Sequence, residues 1–514
     1  MVEPVATRWH LPEWSRRSWP LTAILVAAAL LRLVKIGAVG FNSDEAVYAG
    51  QAAALGGNPA YTDFFPVFRA HPMLVQTLLS VPFRHGEHDV SGRVLIALMG
   101  VATVALTYAI GRDLYGRRVG LLAAAVLAVM PYHVIVSRQL LLDVPMVLFT
   151  SVSLYCLVRF AATGRLAWAL ASGAGLGLAM LSKESAIVMC GAIYAFLALT
   201  PSVRRPMLGG LLAFGTALAM FAGHPVSVAL AGGRSSAKAY LVWQLVRSPN
   251  HGFGFYAAVV PKAVGPAVVL LVLVAVVMVR ARREPAWREV LLVCWVLVPA
   301  VVFTLWPVKG YQYLLAGAPA LAVLAAYGAV VGAEWAGGLR LPEWVASWVA
   351  TRDRAHRLAF AAVTGALLLS LSTPSVVAVL FAERSSGLAG TGGVPGGRET
   401  GAWVAAHTPA GSTFLTVGPS MANLVQYYGH RKAYGLSVSP NPLHRNPSYE
   451  PIPNPDLALR QGTMQYVVWD TWSARRSTHF SAQTLLLARR YHGRVVHTEY
   501  AAGKPAIVVY EVRP

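Results

Sequence analysis

Acidic residues are scarce in this 514-residue sequence: 22 Asp and Glu stand against 43 Lys and Arg, and charged residues of both signs make up 13% of it. A soluble domain carries about a quarter charged residues, so this shortage excludes an ordinary water-facing surface. Cysteine is nearly missing as well. Cys156, Cys190 and Cys294 all fall inside apolar runs and read as packing residues, with neither a disulfide framework nor a metal-ligand spacing. Basic patches interleaved with aromatics are lacking, so the net charge of +21 does not read as nucleic-acid binding. There is no solenoid-type repeat. The first twenty residues are polar, with Arg8, Arg16 and Arg17, and no clear cleavage site follows before Phe41, so the first apolar run reads as a retained anchor.

What is abundant is apolar sequence. Hydrophobic residues reach 56% and mean hydropathy is +0.53. Apolar runs near the length that spans a bilayer predict a polytopic α-helical membrane protein with about eleven spans. They lie near 19–37, 93–111, 119–136, 143–160, 166–181, 185–200, 207–225, 262–280, 289–306, 313–332 and 358–381. Residues 1–18 form a basic tail. With that tail inside, every short inner loop is basic, for example Arg112, Arg117 and Arg118, or Arg204 and Arg205, and the longer outer loops are poorer in Lys and Arg. The expectation is a protein of the cytoplasmic membrane, N-terminus in and C-terminal segment outside. Arg32 and Lys35, near the outer end of the first run, are read as snorkelling outward or facing an aqueous pocket.

Two outer segments stand apart. Residues 40–91 form a long first loop with helical character from Ser43 to Leu55 and a second short helix after His71-Pro72. Beyond a Gly-rich linker at 382–398, residues 399–514 read as a small extracytoplasmic α/β domain. Strands are expected at 413–417, 466–469 and 506–510, helices at 400–407 and 481–491, and a Pro/Asn-rich loop at 439–455.

Each polar residue of the outer side has two readings. Asp44 and Glu45 fit the first turn of a helix capped by Ser43, where carboxylates offset the helix dipole, and they also fit a catalytic base near the membrane surface. Arg138 and Asp143 fit a local ion pair with Asp143 as a helix cap, or a charged site at membrane depth. Lys183 and Glu184 fit a surface ion pair or a site. Lys309 with Tyr311 and Tyr313 fits an interfacial aromatic belt with a snorkelling Lys. Arg69 and His71 precede Pro72 and fit structural roles or a phosphate contact.

In their order along the chain these elements resemble the GT-C membrane glycosyltransferases, in the branch with the protein O-mannosyltransferases and the lipid A aminoarabinose transferase. Asp44-Glu45 is similar to the first-loop acidic motif of that family. Phe68-Arg69-Ala70-His71-Pro72-Met73-Leu74 resembles its Lys/His-Pro-Pro-Leu element, with Met73 where a second Pro is common and His71 where the aminoarabinose enzyme has Lys. Ser137 to Asp143 is similar to its Ser-Arg…Leu-Asp element, and Leu181-Ser182-Lys183-Glu184 to its Thr/Ser-Lys element. Lys309-Gly310-Tyr311-Gln312-Tyr313-Leu314-Leu315, followed by Pro319, resembles its Arg/Lys-Tyr-Leu-Leu-Pro stretch.

The resemblance covers residues 20–330 and makes 19–381 a GT-C-like transmembrane catalytic domain. It implies sugar transfer, with inversion, from a polyprenyl-phosphate donor to an extracytoplasmic acceptor: a protein hydroxyl, a glycolipid or a cell-wall glycan. Asp44 would be the general base. Glu45 and Asp143 would orient the acceptor or the cations, and Arg69, His71, Arg138, Lys183 and Lys309 would stabilise the phosphate, with Glu184, Tyr311 and Tyr313 beside the substrate. A divalent metal would use Asp44, Glu45, His71 or Asp143, a mixed set that is not diagnostic. A transporter of lipid-linked sugars would instead show paired broken spans and inverted repeats, and a non-catalytic scaffold would use the C-terminal domain for binding.

Overall fold

The computed structural model describes residues 18–66, 71–84, 86, 88–230, 234–281, 287–337, 352–381, 393–446 and 448–513. Each of the expected apolar runs is helical. The membrane part begins with α1 (Trp19–Leu33), and the first loop holds α2 (Ser43–Leu55), α3 (Pro59–Thr62) and α4 (Leu74–Phe83). Then come α5 (Asp89–Tyr115), α6 (Arg117–Val129), α7 (Pro131–Val136), α8 (Asp143–Thr163), α9 (Leu166–Ser182) and α10 (Val188–Leu199), the last entered through a 3-10 turn at Glu184–Ile187. They are followed by α11 (Pro206–Phe221), α12 (Gly223–Leu230), α13 (Arg234–Val246), α14 (Phe255–Val264), α15 (Pro266–Ala281), α16 (Trp287–Leu305) and α17 (Ala318–Gly337), and by a helix at Arg352–Leu380.

Among the described residues, six helices are long and apolar enough to cross a membrane: Asp89–Tyr115, Asp143–Thr163, Pro206–Leu230, Trp287–Leu305, Leu315–Trp335 and His356–Leu380. α14 and α15 would add a seventh span, bent by 100° where Gly265 adopts φ +94°. Trp19–Leu33, Leu166–Ser182 and Glu184–Leu199 are apolar but shorter, and Pro131 divides the run at 119–136. The protein is a multi-pass membrane protein. Large apolar side chains such as Leu211, Phe214, Leu270 and Leu369 remain exposed on its outside, as a lipid-facing belt requires. Small residues let the helices approach: a Cβ on Gly173 would stand 2.2 Å from the Ala213 carbonyl oxygen, between α9 and α11.

Arg32 neither snorkels nor faces water. It is fully buried, donating to the carbonyls of Ala28 and Ala128 at 2.9 and 3.0 Å, with His133 Nδ1 at 2.7 Å. Lys35 donates to the Leu380 carbonyl at 3.2 Å.

The C-terminal part is a five-stranded sheet in the order β2-β1-β3-β5-β4, built from β1 (Thr413–Thr416), β2 (Lys432–Gly435), β3 (Tyr466–Asp470), β4 (Arg494–Ala501) and β5 (Lys504–Glu511). β2, β1 and β3 are parallel, and β5 joins β3 and β4 antiparallel. The β4–β5 turn uses Ala502 and Gly503 at φ +51° and +73°, the positive-φ pair that a tight hairpin needs. Alternation along the strands gives the sheet two apolar faces. Leu415, Val467 and Val512 pack with Leu459, Leu487 and Tyr491. Phe414, Tyr466, Val468, Ile507 and Val509 belong to one core that continues into the membrane part.

The join between the two parts is the helix Pro419–Gly429, which packs against α2. Phe41 contacts the rings of Tyr427 and Tyr428 at centroid distances of 5.3 and 6.2 Å, and its backbone N–H donates to the Tyr428 hydroxyl at 2.7 Å. The expected linker lies outside the described residues at 382–392. Its remainder is docked: a helix begins at Gly397, and the Arg398 guanidinium donates to the Gly37 carbonyl at 3.0 Å.

Candidate functional site

The site is organised by the first turn of α2. Asn42, rather than Ser43, is the N-cap. Its side-chain oxygen accepts from the backbone N–H groups of Asp44 and Glu45, both at 3.0 Å, and Glu45 returns the bond by accepting from Asn42 N at 2.9 Å. Glu45 is then saturated. Arg93 donates to it through Nε and a terminal nitrogen at 2.7 and 2.8 Å, and Leu140 N donates at 2.8 Å. Arg93 also gathers the carbonyls of Ile36, Val39 and Gly40, and its guanidinium lies 5.0 Å from the Phe41 ring centroid. This buried cluster fixes the chain that leads into α2.

Its neighbour Asp44 is different. No side chain among the described residues donates a hydrogen bond to its carboxylate, which keeps contact with solvent although much protein lies around it. Burial raises its pKa above the usual carboxylate range, and Lys183 opposes that shift, with smaller effects of Asp143 (raising), Arg476 (lowering) and Glu45 (raising).

Lys183 and Asp143 form a buried pair at 2.7 Å, with Lys183 Nζ 5.4 Å from the Tyr313 ring centroid. Asp143 is the first residue of α8, after the cap position at Leu142, and pairs across to the end of α9 rather than with Arg138. Lys183 and Glu184 do not pair with each other at the surface. Glu184 accepts from the Tyr240 hydroxyl at 3.1 Å and meets His71 Nδ1 at 3.3 Å, and Tyr240 is tied through Gln244 to Arg247 at 2.6 and 3.1 Å. The loop before α4, the start of the 3-10 turn and α13 thus share one polar chain.

Three further candidates are committed elsewhere. Arg138 donates to the carbonyls of Leu31, Arg32, Val34 and Lys35, closing the open end of α1. Lys309 Nζ donates to the carbonyls of Trp306 and His251 at 3.0 and 3.4 Å. The Tyr311 ring packs against Phe255 at 5.1 Å, and its carbonyl accepts from the Tyr132 hydroxyl. Arg69 lies outside the described residues. Among the described residues no group of three or more His, Cys, Asp and Glu side chains forms a metal site: Glu45 is held by Arg93, Asp143 by Lys183 and His71 by Glu184.

Sequence reasoning did not reach Arg93, although a charge heading an apolar run was a signal for it. Nor did it reach Tyr240, Asn423, Tyr449 or Arg476, which carry no local signal.

Residues 70–228 match the family model described as dolichyl-phosphate-mannose-protein mannosyltransferase. The matched stretch holds His71, Arg93, Asp143, Lys183 and Glu184, and Asp44 precedes it. The whole chain is similar to ArnT from Cupriavidus metallidurans, solved both in the apo state and bound to undecaprenyl phosphate. The TM-scores are 0.70 and 0.67 at 14% identity, covering 96% of this chain and 98% of that one. The likeness to ArnT is one of fold. Another similar structure is the oligosaccharyltransferase AglB from Archaeoglobus fulgidus, solved in complex with an inhibitory peptide and a dolichol-phosphate. It aligns with a TM-score of 0.58 at 13% identity, over 97% of this chain and 75% of that one. A Bacillus subtilis relative named "Putative mannosyltransferase YycA" is 30% identical over 159 residues, which are 30% of this chain and 22% of that protein. The chain thus spans about a fifth of that relative's length by sequence, and nearly all of ArnT by fold.

Proposed function

We propose that the protein transfers a glycosyl group from a polyprenyl-phosphate sugar to the hydroxyl of an acceptor on the non-cytoplasmic side of the membrane, with inversion. The observation that carries this reading is Asp44. It is a carboxylate without a side-chain hydrogen-bond donor, its pKa raised by burial, next to the buried Lys183–Asp143 pair. A base must be free to accept a proton and must titrate near its working pH. Asp44 meets the first condition and moves toward the second.

In the proposed step Asp44 takes the proton of the acceptor hydroxyl. The oxygen attacks the anomeric carbon, the bond from that carbon to the phosphate oxygen breaks, and polyprenyl phosphate leaves with the bonding electrons. Lys183, where α8 and α9 meet, is the cation suited to the departing phosphate, and the His71 ring, held by Glu184, would add a hydrogen-bond donor. Asp143 keeps Lys183 charged and in place. Glu45 holds Asp44 in position through the α2 cap. ArnT bound to undecaprenyl phosphate and AglB bound to dolichol-phosphate support a lipid phosphate as the leaving group, and the family match and YycA make mannose the first sugar to try. The basic inner loops support an orientation with the site outside.

The experiment supplies membranes holding the full chain with radiolabelled undecaprenyl-phosphate mannose and a cell-envelope fraction. The expected result is label in envelope material that depends on the chain. No incorporation from this donor, or from other undecaprenyl-phosphate sugars, overturns the reading.

A further inference from the structure

Two groups of residues lie around Asp44. One comes from the membrane part: Lys183 and Asp143 at span ends, with the His71–Glu184–Tyr240 chain. The other comes from the C-terminal domain. The loop after β2 packs its 3-10 turn, Pro442–His444, against α13 and brings in Tyr449. The Tyr449 hydroxyl hydrogen-bonds Asn423 and Ser43, and it lies within electrostatic reach of Asp44 and Arg247. Asn423, on the helix Pro419–Gly429, donates to the Ser43 hydroxyl at 2.9 Å, so Tyr449 is fixed to the residue beside the base. Burial pushes its pKa up to about 12.

Arg476 ends the short helix Thr471–Arg476, whose start is fixed by Asp470 accepting from Ser473 N at 2.7 Å. Its guanidinium lies 5.5 Å from the Trp472 ring centroid and is exposed. No carboxylate among the described residues pairs with it, although it acts on Asp44. A cation without a carboxylate partner and an oriented hydroxyl thus stand near the proposed base.

In-line displacement with inversion places nucleophile and leaving group on opposite faces of the sugar carbon. The leaving phosphate is tethered to the membrane by its lipid and belongs with the span-end residues. We propose that Tyr449 and Arg476 position the acceptor, so that the C-terminal domain supplies the acceptor half of the site and favours a hydroxyl compound with negative charge close to that hydroxyl. This inference rests on the transfer reading above.

The test uses the full chain as wild type, Tyr449→Ala, Tyr449→Phe and Arg476→Ala. Transfer from radiolabelled undecaprenyl-phosphate mannose is titrated separately against donor and against envelope fraction, and binding of undecaprenyl phosphate to the purified protein is measured alongside. The expected result is a tenfold or greater rise in the envelope concentration giving half-maximal transfer for Tyr449→Ala and Arg476→Ala, and a smaller rise for Tyr449→Phe. Donor half-saturation and undecaprenyl phosphate binding stay at wild-type values. Unchanged acceptor half-saturation, or a parallel loss of undecaprenyl phosphate binding, overturns the inference while wild-type transfer stands. A wild-type chain inert with every donor overturns the transfer reading and this inference with it.

Discussion

Glu45 and Arg93 meet as a buried, bidentate carboxylate–guanidinium pair at 2.7 and 2.8 Å, 48 residues apart in sequence. Removing one partner of such a pair leaves an uncompensated buried charge, at a cost of about 3–5 kcal/mol. Glu45→Ala is therefore expected to lower the thermal midpoint in detergent and to lose activity together with fold. Asp44→Asn, which breaks no side-chain bond, is expected to keep the wild-type midpoint. Scanning fluorimetry of the two variants checks the contrast.

The buried Lys183–Asp143 pair supports a second prediction. Lys183→Met strands Asp143 and removes a cation from the proposed leaving-group site. Stability falls, and transfer falls about 10²- to 10³-fold, as when a preorganised charge stabiliser is removed. Adding Asp143→Asn to Lys183→Met restores the midpoint without restoring transfer. A double variant that regains both would show the pair to be structural only.

The pH dependence follows from Asp44. Its pKa is raised, first by burial, so the base is lost as pH falls through a value above the ordinary carboxylate figure of about 4. The acid limb of kcat/KM is expected there. Lys183 and Arg476 pull that pKa down, so Arg476→Ala shifts the acid limb to higher pH. A limb that stays in place in Arg476→Ala, or shifts the other way, contradicts the assignment.

Arg138 was expected from sequence to contact substrate, and its fork is occupied by the carbonyls that end α1. Arg138→Lys keeps the charge and loses the fork. The expected outcome is a lower thermal midpoint, with hydrogen bonds to a charged group contributing about 1.5–3 kcal/mol, and an unchanged donor KM in the folded fraction. A raised donor KM at an unchanged midpoint would return Arg138 to the substrate site.

How much of this was legible in the sequence depended on range. Apolar length placed the membrane helices, and the Asn42-Ser43-Asp44-Glu45 stretch announced a helix start, misplaced by one residue because Ser and Asn cap equally well. The central strands β1, β3 and β5 are continuous apolar runs and were visible. β2 is four residues with a glycine, and β4 is a half-exposed edge, so neither stood out. Local patterning does not report pairing across the fold. It could not link Glu45 to Arg93 or Lys183 to Asp143, nor bring Asn423 to Ser43 across 380 residues. The C-terminal domain looked separate because a Gly-rich stretch precedes it, whereas Phe41, Tyr427 and Tyr428 share one core with the first loop.

The most direct test of the central claim is transfer by purified Asp44→Asn from undecaprenyl-phosphate mannose to the envelope fraction, with midpoint and undecaprenyl phosphate binding measured on the same sample. Loss of a general base predicts a fall of about 10²- to 10⁴-fold in rate, with midpoint and lipid-phosphate binding unchanged. Transfer at the wild-type rate by this folded, lipid-binding variant would contradict the role given to Asp44.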